Sequence, residues 1–331
     1  MIRRILSILL VMILFVVSVT ALAHLISFKN DQMIWGVSFN STYANYLGLD
    51  SKQVLQTIVG EWGFKNLRIS APWIEVENTK GIFDFSDIDW QLDTINKSGG
   101  KVVLSIGQKT PRWPECHTPD WALTLTDEQF FEKLQNYVKA VVERYRDNPA
   151  VEIWQVENEP FLPFGGPQCR PFKVEWLKEE IKLVKSLDPK HQILVSDSGE
   201  LSTWSRTAQA GDLFGSTMYR VVWNKYLGYW NYDWLPPAFY RAKLWLNGRD
   251  PKTSFIMELQ AEPWIPDNTV SSTKIGEQFM SMNLDRLQNH LNFAVKVGLP
   301  RTYLWGAEWW YWLKIKGYSE ISDFILKLKK N

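Results

Sequence analysis

The chain has 331 residues, of which 45% are hydrophobic and 22% charged, and its 37 basic and 36 acidic residues leave a net charge of +1. This composition is typical of a globular protein, and it argues against both a disordered chain and a basic nucleic-acid-binding surface. The unusual number is 18 tryptophans. Their broad apolar rings suit a hydrophobic core and also suit stacking against sugar rings, so we expect no nucleic-acid partner and look for a sugar cleft.

The N-terminal segment is a basic start followed by an apolar run. Two arginines precede residues 5–23, which contain no charged residue and end in the small-residue sequence Ala-Leu-Ala. The pattern predicts either a signal peptide cleaved after Ala23 or a membrane anchor, both within residues 1–24. Both alternatives predict that the domain over residues 30–331 is exported, and that it meets a membrane only through the N-terminal segment.

Short runs typical of β-strands alternate with longer helical patterns after residue 30. Eight such β-then-α units over about 300 residues predict a single (β/α)₈ barrel. A doubly wound sheet is the competing fold, but it usually has fewer strands and a glycine-rich turn after the first strand, which this chain lacks. The predicted strands are Ile34–Phe39, Asn66–Ile69, Lys101–Ile106, Val151–Val156, Gln192–Ser196, Leu213–Met218, Ser254–Met257 and Thr302–Trp305.

Three helices have recognisable ends. Thr126 and Gln129 predict a capping box at the start of one helix. Ser86 is predicted to cap a second helix. The apolar spacing from Met280 onward predicts one long helix that ends at Gly298.

Functional side chains of such a barrel lie at the C-terminal ends of the strands. Two carboxylates are found there, Glu159 after the fourth strand and Glu258 at the end of the seventh. Strands four and seven lie three apart around the ring, so their ends can face each other across the mouth. Two facing carboxyls are the machinery of glycoside hydrolysis, in which one protonates the leaving oxygen and the other attacks the anomeric carbon or activates water.

Further polar and aromatic residues follow the other strands. Arg68 and Tyr219 are predicted to hold Glu258 in its charged form, and Asn158 is predicted to bind a sugar hydroxyl. Glu262 is a second acid near the seventh strand, but it precedes a proline and is expected to be a loop or subsite residue. The other candidate substrate-binding residues are Asn40, Gln108, Trp113 and Trp305.

These residues resemble glycoside hydrolase clan A, which includes families 5, 39 and 42. Asn158-Glu159-Pro160 matches the signature after the fourth strand, and the run ending at Glu258 resembles the seventh-strand motif. Arg68 matches the second-strand arginine, and Trp305 resembles the platform tryptophan of the eighth strand. The resemblance implies a retaining enzyme with Glu159 as acid/base and Glu258 as nucleophile.

Two features depart from this pattern, the second acid near the seventh strand, Glu262, and the acid before Asn158, Glu157. Glu157 stands where relatives often carry an aromatic or apolar residue. Its carboxylate either perturbs Glu159 or points elsewhere, and the sequence leaves both possibilities open.

The remaining predictions concern partners and cross-links. An oligosaccharide or polysaccharide is the expected substrate, and we expect a monomer. No two of the four histidines have metal-ligand spacing, so we predict neither a metal nor a cofactor. Cys116 and Cys169 follow neighbouring strands, and they are either a disulfide or two free thiols. The alternative function is a membrane-anchored barrel that binds carbohydrate without cleaving it.

Overall fold

The structure, a computed structural model, describes residue 18 and residues 22–266 and 269–328. The predicted signal or anchor segment therefore falls almost entirely outside the described residues. Within the part of the chain that is described, no helix is long and apolar enough to cross a membrane.

Eight parallel strands close into a barrel, which confirms the predicted (β/α)₈ architecture over the doubly wound alternative. Around the ring the order is β1-β10-β9-β6-β5-β4-β3-β2, and a separate antiparallel hairpin joins β7 to β8. The strands are β1 Ile34–Ser38, β2 Asn66–Ser70, β3 Lys101–Ile106, β4 Val151–Val156, β5 Gln192–Asp197, β6 Leu213–Met218, β7 Val221–Asn224, β8 Gly228–Asn231, β9 Ser254–Gln260 and β10 Arg301–Trp305.

Helices cover the outside of the barrel and cap its mouth. They are α1 Ser41–Tyr46, α2 Ser51–Gln56, α3 Trp73–Val76, α4 Ser86–Lys97, α5 Asp127–Tyr145, α6 Val174–Leu187, α7 Pro237–Leu246, α8 Ile275–Ser281, α9 Leu284–Val297, α10 Ala307–Ile315 and α11 Glu320–Lys327. Between β5 and β6 the chain makes turns instead of a helix. There the buried Trp204 packs on Phe214 of β6, with ring centroids 4.9 Å apart, and covers the sheet where a helix otherwise lies.

The helix ends confirm two sequence predictions and correct two. Thr126 and Gln129 form the predicted capping box of α5. Ser86 does not cap α4; it is the first helical residue, and its N–H donates to the Asp84 side chain (2.9 Å).

The long helix predicted from Met280 to Gly298 is two helices. The chain leaves α8 in an extended conformation at Met282, and the Asn283 side chain then caps α9 by accepting from the Arg286 N–H (2.9 Å). Asn is a strong N-cap, and the apolar spacing continues across the break, which hides it from a periodicity argument. Gly298 ends α9 in the left-handed conformation, as predicted.

Packing inside the barrel sets the floor beneath the mouth. Two glycines make room for large neighbours: a Cβ on Gly36 would lie 2.6 Å from the ring of Tyr303, and one on Gly215 would lie 2.3 Å from the side chain of Met257. The interior layer consists of Val103, Ile153, Leu194, Leu213, Phe255, Met257 and Tyr303. This layer closes the barrel, so that only its upper end is open to polar chemistry.

Candidate active site

A bulge in β9 turns Glu258 toward the barrel axis. Along β6 one step separates Ser216 from Thr217, but their partners in β9, Ile256 and Glu258, are two residues apart. The register with β10 shifts at the same place. An extra residue re-aims the side chains that follow it, so Met257 and Glu258, consecutive in the chain, both contribute to the barrel interior.

Arg68 of β2 connects the carboxyl and amide groups at the mouth. It is 1% exposed, and its Nη1 donates to Oε1 of Glu258 (2.6 Å). Its Nε donates to Gln155 (2.8 Å) and its Nη2 to Oδ1 of Asn158 (2.8 Å). All three nitrogens of this buried guanidinium therefore have acceptors, and one of these acceptors is the Glu258 carboxylate that the sequence predicts as its partner.

Tyr219 lies on the other side of the same carboxylate. Its hydroxyl donates to Oε2 of Glu258 (2.7 Å), so each oxygen of Glu258 receives a hydrogen bond. Burial and the neighbouring Glu258 charge raise the pKa of the Tyr219 hydroxyl, which keeps it a donor. The sequence predicted this contact too.

Glu159 meets a different environment. It has a positive φ of 46°, and its Oε1 accepts from the Thr217 hydroxyl (2.8 Å), whereas none of the described basic side chains forms a salt bridge with its carboxyl. Burial first, and then the charges of Glu258 and Glu115, raise the pKa of Glu159 well above its usual range. A carboxyl in this setting holds its proton near neutral pH.

The Asn158 side chain belongs to the hydrogen-bond network around Arg68. Its Oδ1 accepts from Arg68, from the Ser196 hydroxyl (2.9 Å) and from Gln155 (3.2 Å). Its Nδ2 donates to Glu115 (3.3 Å). The amide is therefore fixed with its donor side toward Glu115.

Glu157 points away from the pair, which decides the question that the sequence left open. Its two oxygens accept from the backbone N–H groups of Gln108 (2.6 Å) and Lys109 (2.7 Å). A Cβ on Gly107 would lie 2.4 Å from Glu157 Oε1, so this arrangement requires glycine there. The third carboxyl near the pair is Glu115 instead, which the sequence analysis did not single out.

Arg112, which the sequence analysis did not single out, lies at the centre of a second group of side chains. Its guanidinium lies between the rings of Tyr43 (3.7 Å from Cζ to the centroid) and Trp305 (4.2 Å). It pairs with the carboxylates of Glu262 and, at 3.3 Å, Glu308. Trp305 lines the neighbouring cleft, with the Arg112 cation over one face of its ring.

A cleft of about 1,380 Å³ opens above these groups. Asn40, Tyr219, Glu115, Arg112 and Trp305 are among its lining residues. The volume exceeds the roughly 300–1,000 Å³ of ordinary small-molecule sites, so there is space for several sugar units.

Aromatic rings form one wall of this cleft. Trp113 is 61% exposed and contacts Phe164 (centroids 5.7 Å apart), which in turn lies 6.4 Å from Trp264. Trp264 meets Tyr219 edge to face at 5.7 Å. The series therefore runs from the tyrosine that touches Glu258 out to an exposed indole, and its faces suit stacking against sugars.

Two predicted binding residues have structural contacts as well. Asn40 lines the cleft, but its side chain also caps α1 by accepting from the Tyr43 N–H (2.7 Å). Gln108 is fully buried, and its amide donates to the Arg170 carbonyl (3.2 Å). Gln108 therefore supports the loops under the cleft, which corrects its prediction as a substrate-binding residue.

A disulfide and several hydrogen bonds join the loops after β3 and β4. Cys116 and Cys169 form a disulfide, with Cα atoms 5.1 Å apart. The ammonium of Lys109 donates to the carbonyls of Glu159, Leu162 and Phe164, at 3.0–3.2 Å. The N–H of Gly166 also donates to the Pro114 carbonyl (2.9 Å).

Within the described residues, no group of three or more histidine, cysteine, aspartate or glutamate side chains is arranged to hold a metal ion. His290 is buried, and its Nδ1 lies 2.8 Å from the Gln260 carbonyl oxygen. His117 lines the cleft, with Nε2 3.1 Å from the Arg112 carbonyl oxygen.

Comparisons with known proteins agree with this geometry. Residues 120–206 match a glycoside hydrolase family 42 model described as β-galactosidase. The chain is 33% identical over 78 residues to mannan endo-1,4-β-mannosidase F of Aspergillus clavatus, which covers 22% of this chain and 16% of that protein. It is 27% identical over 139 residues to β-galactosidase BgaB of a Geobacillus species, 35% of this chain and 20% of that protein. The alignments thus span well under half of either relative.

Solved structures share the fold. Xylanase 10B of Thermotoga maritima superposes with a TM-score of 0.55 at 15% identity, over 83% of each chain. A β-galactosidase of Halorubrum lacusprofundi does so with a TM-score of 0.55 at 16% identity, over 82% of this chain and 52% of that one. The family match and these two relatives are glycoside hydrolases over part of the chain, and the solved structures share its barrel fold.

Proposed function

We propose that this protein is a retaining glycoside hydrolase that cleaves β-glycosidic bonds, with Glu258 as nucleophile and Glu159 as acid/base. The observation that carries the proposal is the unequal environment of the two carboxyls. Glu258 accepts hydrogen bonds from the guanidinium of Arg68 and from the hydroxyl of Tyr219. Glu159, by contrast, is buried and accepts a hydrogen bond from the neutral hydroxyl of Thr217. Paired carboxyls pushed toward opposite protonation states are what acid–nucleophile catalysis needs.

The first step follows from these contacts. A carboxylate oxygen of Glu258 forms a bond to the anomeric carbon as the glycosidic C–O bond breaks. Glu159 gives its proton to the departing oxygen, so the aglycone leaves as a neutral alcohol. The product of this step is a glycosyl ester on Glu258.

The second step reverses the roles. Glu159, now ionised, takes a proton from water as the water oxygen attacks the anomeric carbon. The ester bond to Glu258 breaks and the carboxylate is restored beside Arg68. Two inversions at the anomeric carbon leave its configuration retained.

The size of the cleft and its aromatic wall support a substrate longer than one sugar. An oligosaccharide or polysaccharide would place its scissile bond over the carboxyl pair and stack neighbouring units on rings such as Trp113 and Trp264. The names of the relatives, a mannosidase, a β-galactosidase and a xylanase, support a β-linked glycan without selecting one sugar.

A stereochemical experiment tests the proposal. The protein is screened on 4-nitrophenyl β-glycosides and on β-mannan, xylan and β-galactan, and the first-formed sugar anomer is followed by proton NMR. We expect the β-anomer to appear first and the α-anomer to follow by mutarotation. If the α-anomer appears first, the enzyme inverts and the role given to Glu258 is wrong.

The alternative, a barrel that binds carbohydrate without cleaving it, predicts a different outcome. Oligosaccharide would bind, for example with a change in tryptophan fluorescence, but would survive long incubation. The complete set of Glu159, Glu258 and Arg68 in contact with its neighbours favours the enzyme.

A further inference from the structure

We propose that Glu115 is a sugar-binding residue of this site that accepts a hydrogen bond from the hydroxyl on the ring carbon next to the anomeric carbon. The inference rests on the proposed function and deepens it, because it names a group of the substrate that decides specificity. It starts from a carboxyl that neither step of the proposed mechanism uses.

The position of Glu115 is the first argument. Its Oε2 accepts from Nδ2 of Asn158 (3.3 Å), the residue that precedes Glu159, and the charge of Glu258 acts directly on it. Glu115 also lines the cleft. It therefore lies beside both carboxyls of the pair and within reach of a bound ligand.

The loop that carries Glu115 is the second argument. Glu115 has a positive φ of 69°, which a residue with a side chain rarely adopts, and its own N–H donates to the Arg112 carbonyl (2.8 Å). The next residue, Cys116, is disulfide-bonded to the loop after β4. A third acid is thus held in place by its loop beside the charge of Glu258, which opposes its ionisation, an arrangement that costs stability and is typical of a functional site.

The hydrogen-bond pattern is the third argument. A sugar hydroxyl beside the anomeric carbon needs an acceptor for its own hydrogen. Oδ1 of Asn158 already accepts from three donors, and each oxygen of Glu258 already accepts from a neighbour. The bond from Asn158 uses only one oxygen of Glu115, so the Glu115 carboxyl keeps acceptor capacity for the hydroxyl.

The neighbouring hydroxyl is the group for which such a contact matters most. Hydrogen bonds to it strengthen as the anomeric carbon gains positive charge in the transition state. An acceptor there raises turnover as well as binding, and it separates sugars that present this hydroxyl on one face of the ring from sugars that present it on the other.

The test compares each substrate with its deoxy analogue. The 4-nitrophenyl β-glycoside that the wild type cleaves best and its 2-deoxy counterpart are assayed with wild type, Glu115→Ala and Glu115→Gln. We expect Glu115→Ala to lower kcat/KM on the parent glycoside by about 10–100-fold and to change it by less than about threefold on the 2-deoxy glycoside. Glu75→Gln is the matched control, because Glu75 lines the same cleft and contacts Thr42, outside the group around Asn158.

Equal losses on the two glycosides, or no loss on either, would overturn the proposal. A folded variant is verified by circular dichroism, and Glu115→Gln, which keeps the size of the side chain, gives the same comparison if the alanine variant does not fold.

Measurements of glycoside binding distinguish a failure of this proposal from a failure of the proposed function. If the wild type turns over neither glycoside, the affinities of both for wild type and Glu115→Ala are measured by tryptophan fluorescence. The proposal then requires that only the affinity for the parent glycoside falls, and it is wrong if both affinities or neither changes.

Discussion

Glu157 and Glu159 are two residues apart, and both have a positive φ, at 62° and 46°. Both are buried, and burial raises the pKa of each, to about 8 for Glu157 and well above the usual range for Glu159. Their surroundings differ. Glu157 accepts from two backbone N–H groups below the loops, and Glu159 faces a threonine hydroxyl and two further carboxyls at the mouth.

The comparison teaches that a raised pKa does not by itself mark an acid catalyst. Burial raises the pKa of Glu157 and of its buried neighbour Glu180, and the charge of Glu157 raises the pKa of Glu180 further. What distinguishes Glu159 is a neighbouring carboxyl, Glu258, that forms a salt bridge with Arg68, together with a second neighbour, Glu115, that lines the cleft. The following predictions test this distinction, beginning with the largest effect.

Glu258→Gln should lower kcat by at least about 10⁴-fold, because the variant has no nucleophile. The measurement is turnover of the best 4-nitrophenyl glycoside at saturating concentration. Glu157→Gln is the matched variant, and it should stay within about threefold of wild type. A comparable loss in both would erase the distinction between the two carboxyl groups.

Glu159→Ala should lower kcat/KM by about 10²–10⁴-fold on substrates with poor leaving groups, because no acid is left to protonate the departing oxygen. On a 2,4-dinitrophenyl glycoside, whose leaving group needs no proton, the loss should be much smaller. Steady-state assays with both substrates measure the difference. A loss independent of the leaving group would count against the role as acid.

The alkaline limb of the pH profile should depend on Glu115. Its charge raises the pKa of Glu159, so Glu115→Gln should move that limb of kcat/KM to lower pH. The pKa of Glu115 itself is about 7, so its carboxyl is charged only above that pH. The shift is therefore expected in the neutral-to-alkaline range. Profiles of wild type and variant between pH 4 and 9 measure it, and a limb that stays in place would show that the two carboxyls do not interact.

Tyr219→Phe should lower kcat/KM by about tenfold, because Glu258 loses a hydrogen bond to its charged form. The assay is the same, and circular dichroism verifies the fold. An unchanged rate would mean that Arg68 alone suffices to hold the carboxylate.

Glu157 should affect stability more than activity. Its folded pKa of about 8 lies above the ordinary 4.5, so the folded state binds more protons between these values. The free energy of unfolding should therefore be highest below about pH 4.5 as far as this group is concerned, and should fall as pH rises toward 8. Urea titrations at pH 5 and 8 should show a smaller fall in Glu157→Gln, and an equal fall would contradict the assignment. Other buried carboxyls with raised pKa values also lower the free energy of unfolding as pH rises, but they do so equally in wild type and variant.

Much of the fold could be predicted because buried parallel strands are short apolar runs, and all eight were found within three residues of their ends. The features that could not be predicted are those that leave no recognisable pattern in the residue types. The break at Met282 lies inside a continuous apolar spacing. At the start of α4, either Asp84 or Ser86 could supply the side-chain oxygen that accepts a backbone N–H. Only the path of the backbone decides that it is Asp84.

The residues of the candidate site also fall into those that the sequence predicts and those that it does not. Arg68, Tyr219 and Glu258 were predictable together, since each stands on or directly after a strand and the barrel fixes their directions. Glu115 and Arg112 were not, because they lie in a loop whose positive φ angles reverse the chain back over the mouth. Gln108 was assigned to the cleft by its place after β3, but the loop folds over it and buries it.

The joined loops after β3 and β4 have a consequence for redesign. Lys109, the disulfide and the contact between Gly166 and Pro114 make the two segments a single replaceable module. Replacing only one of the two loops would leave the Lys109 ammonium without its three carbonyl acceptors, or one cysteine without its disulfide partner. Libraries that seek new substrates should therefore recombine the two segments as one cassette, and keep Lys109 and both cysteines in every member.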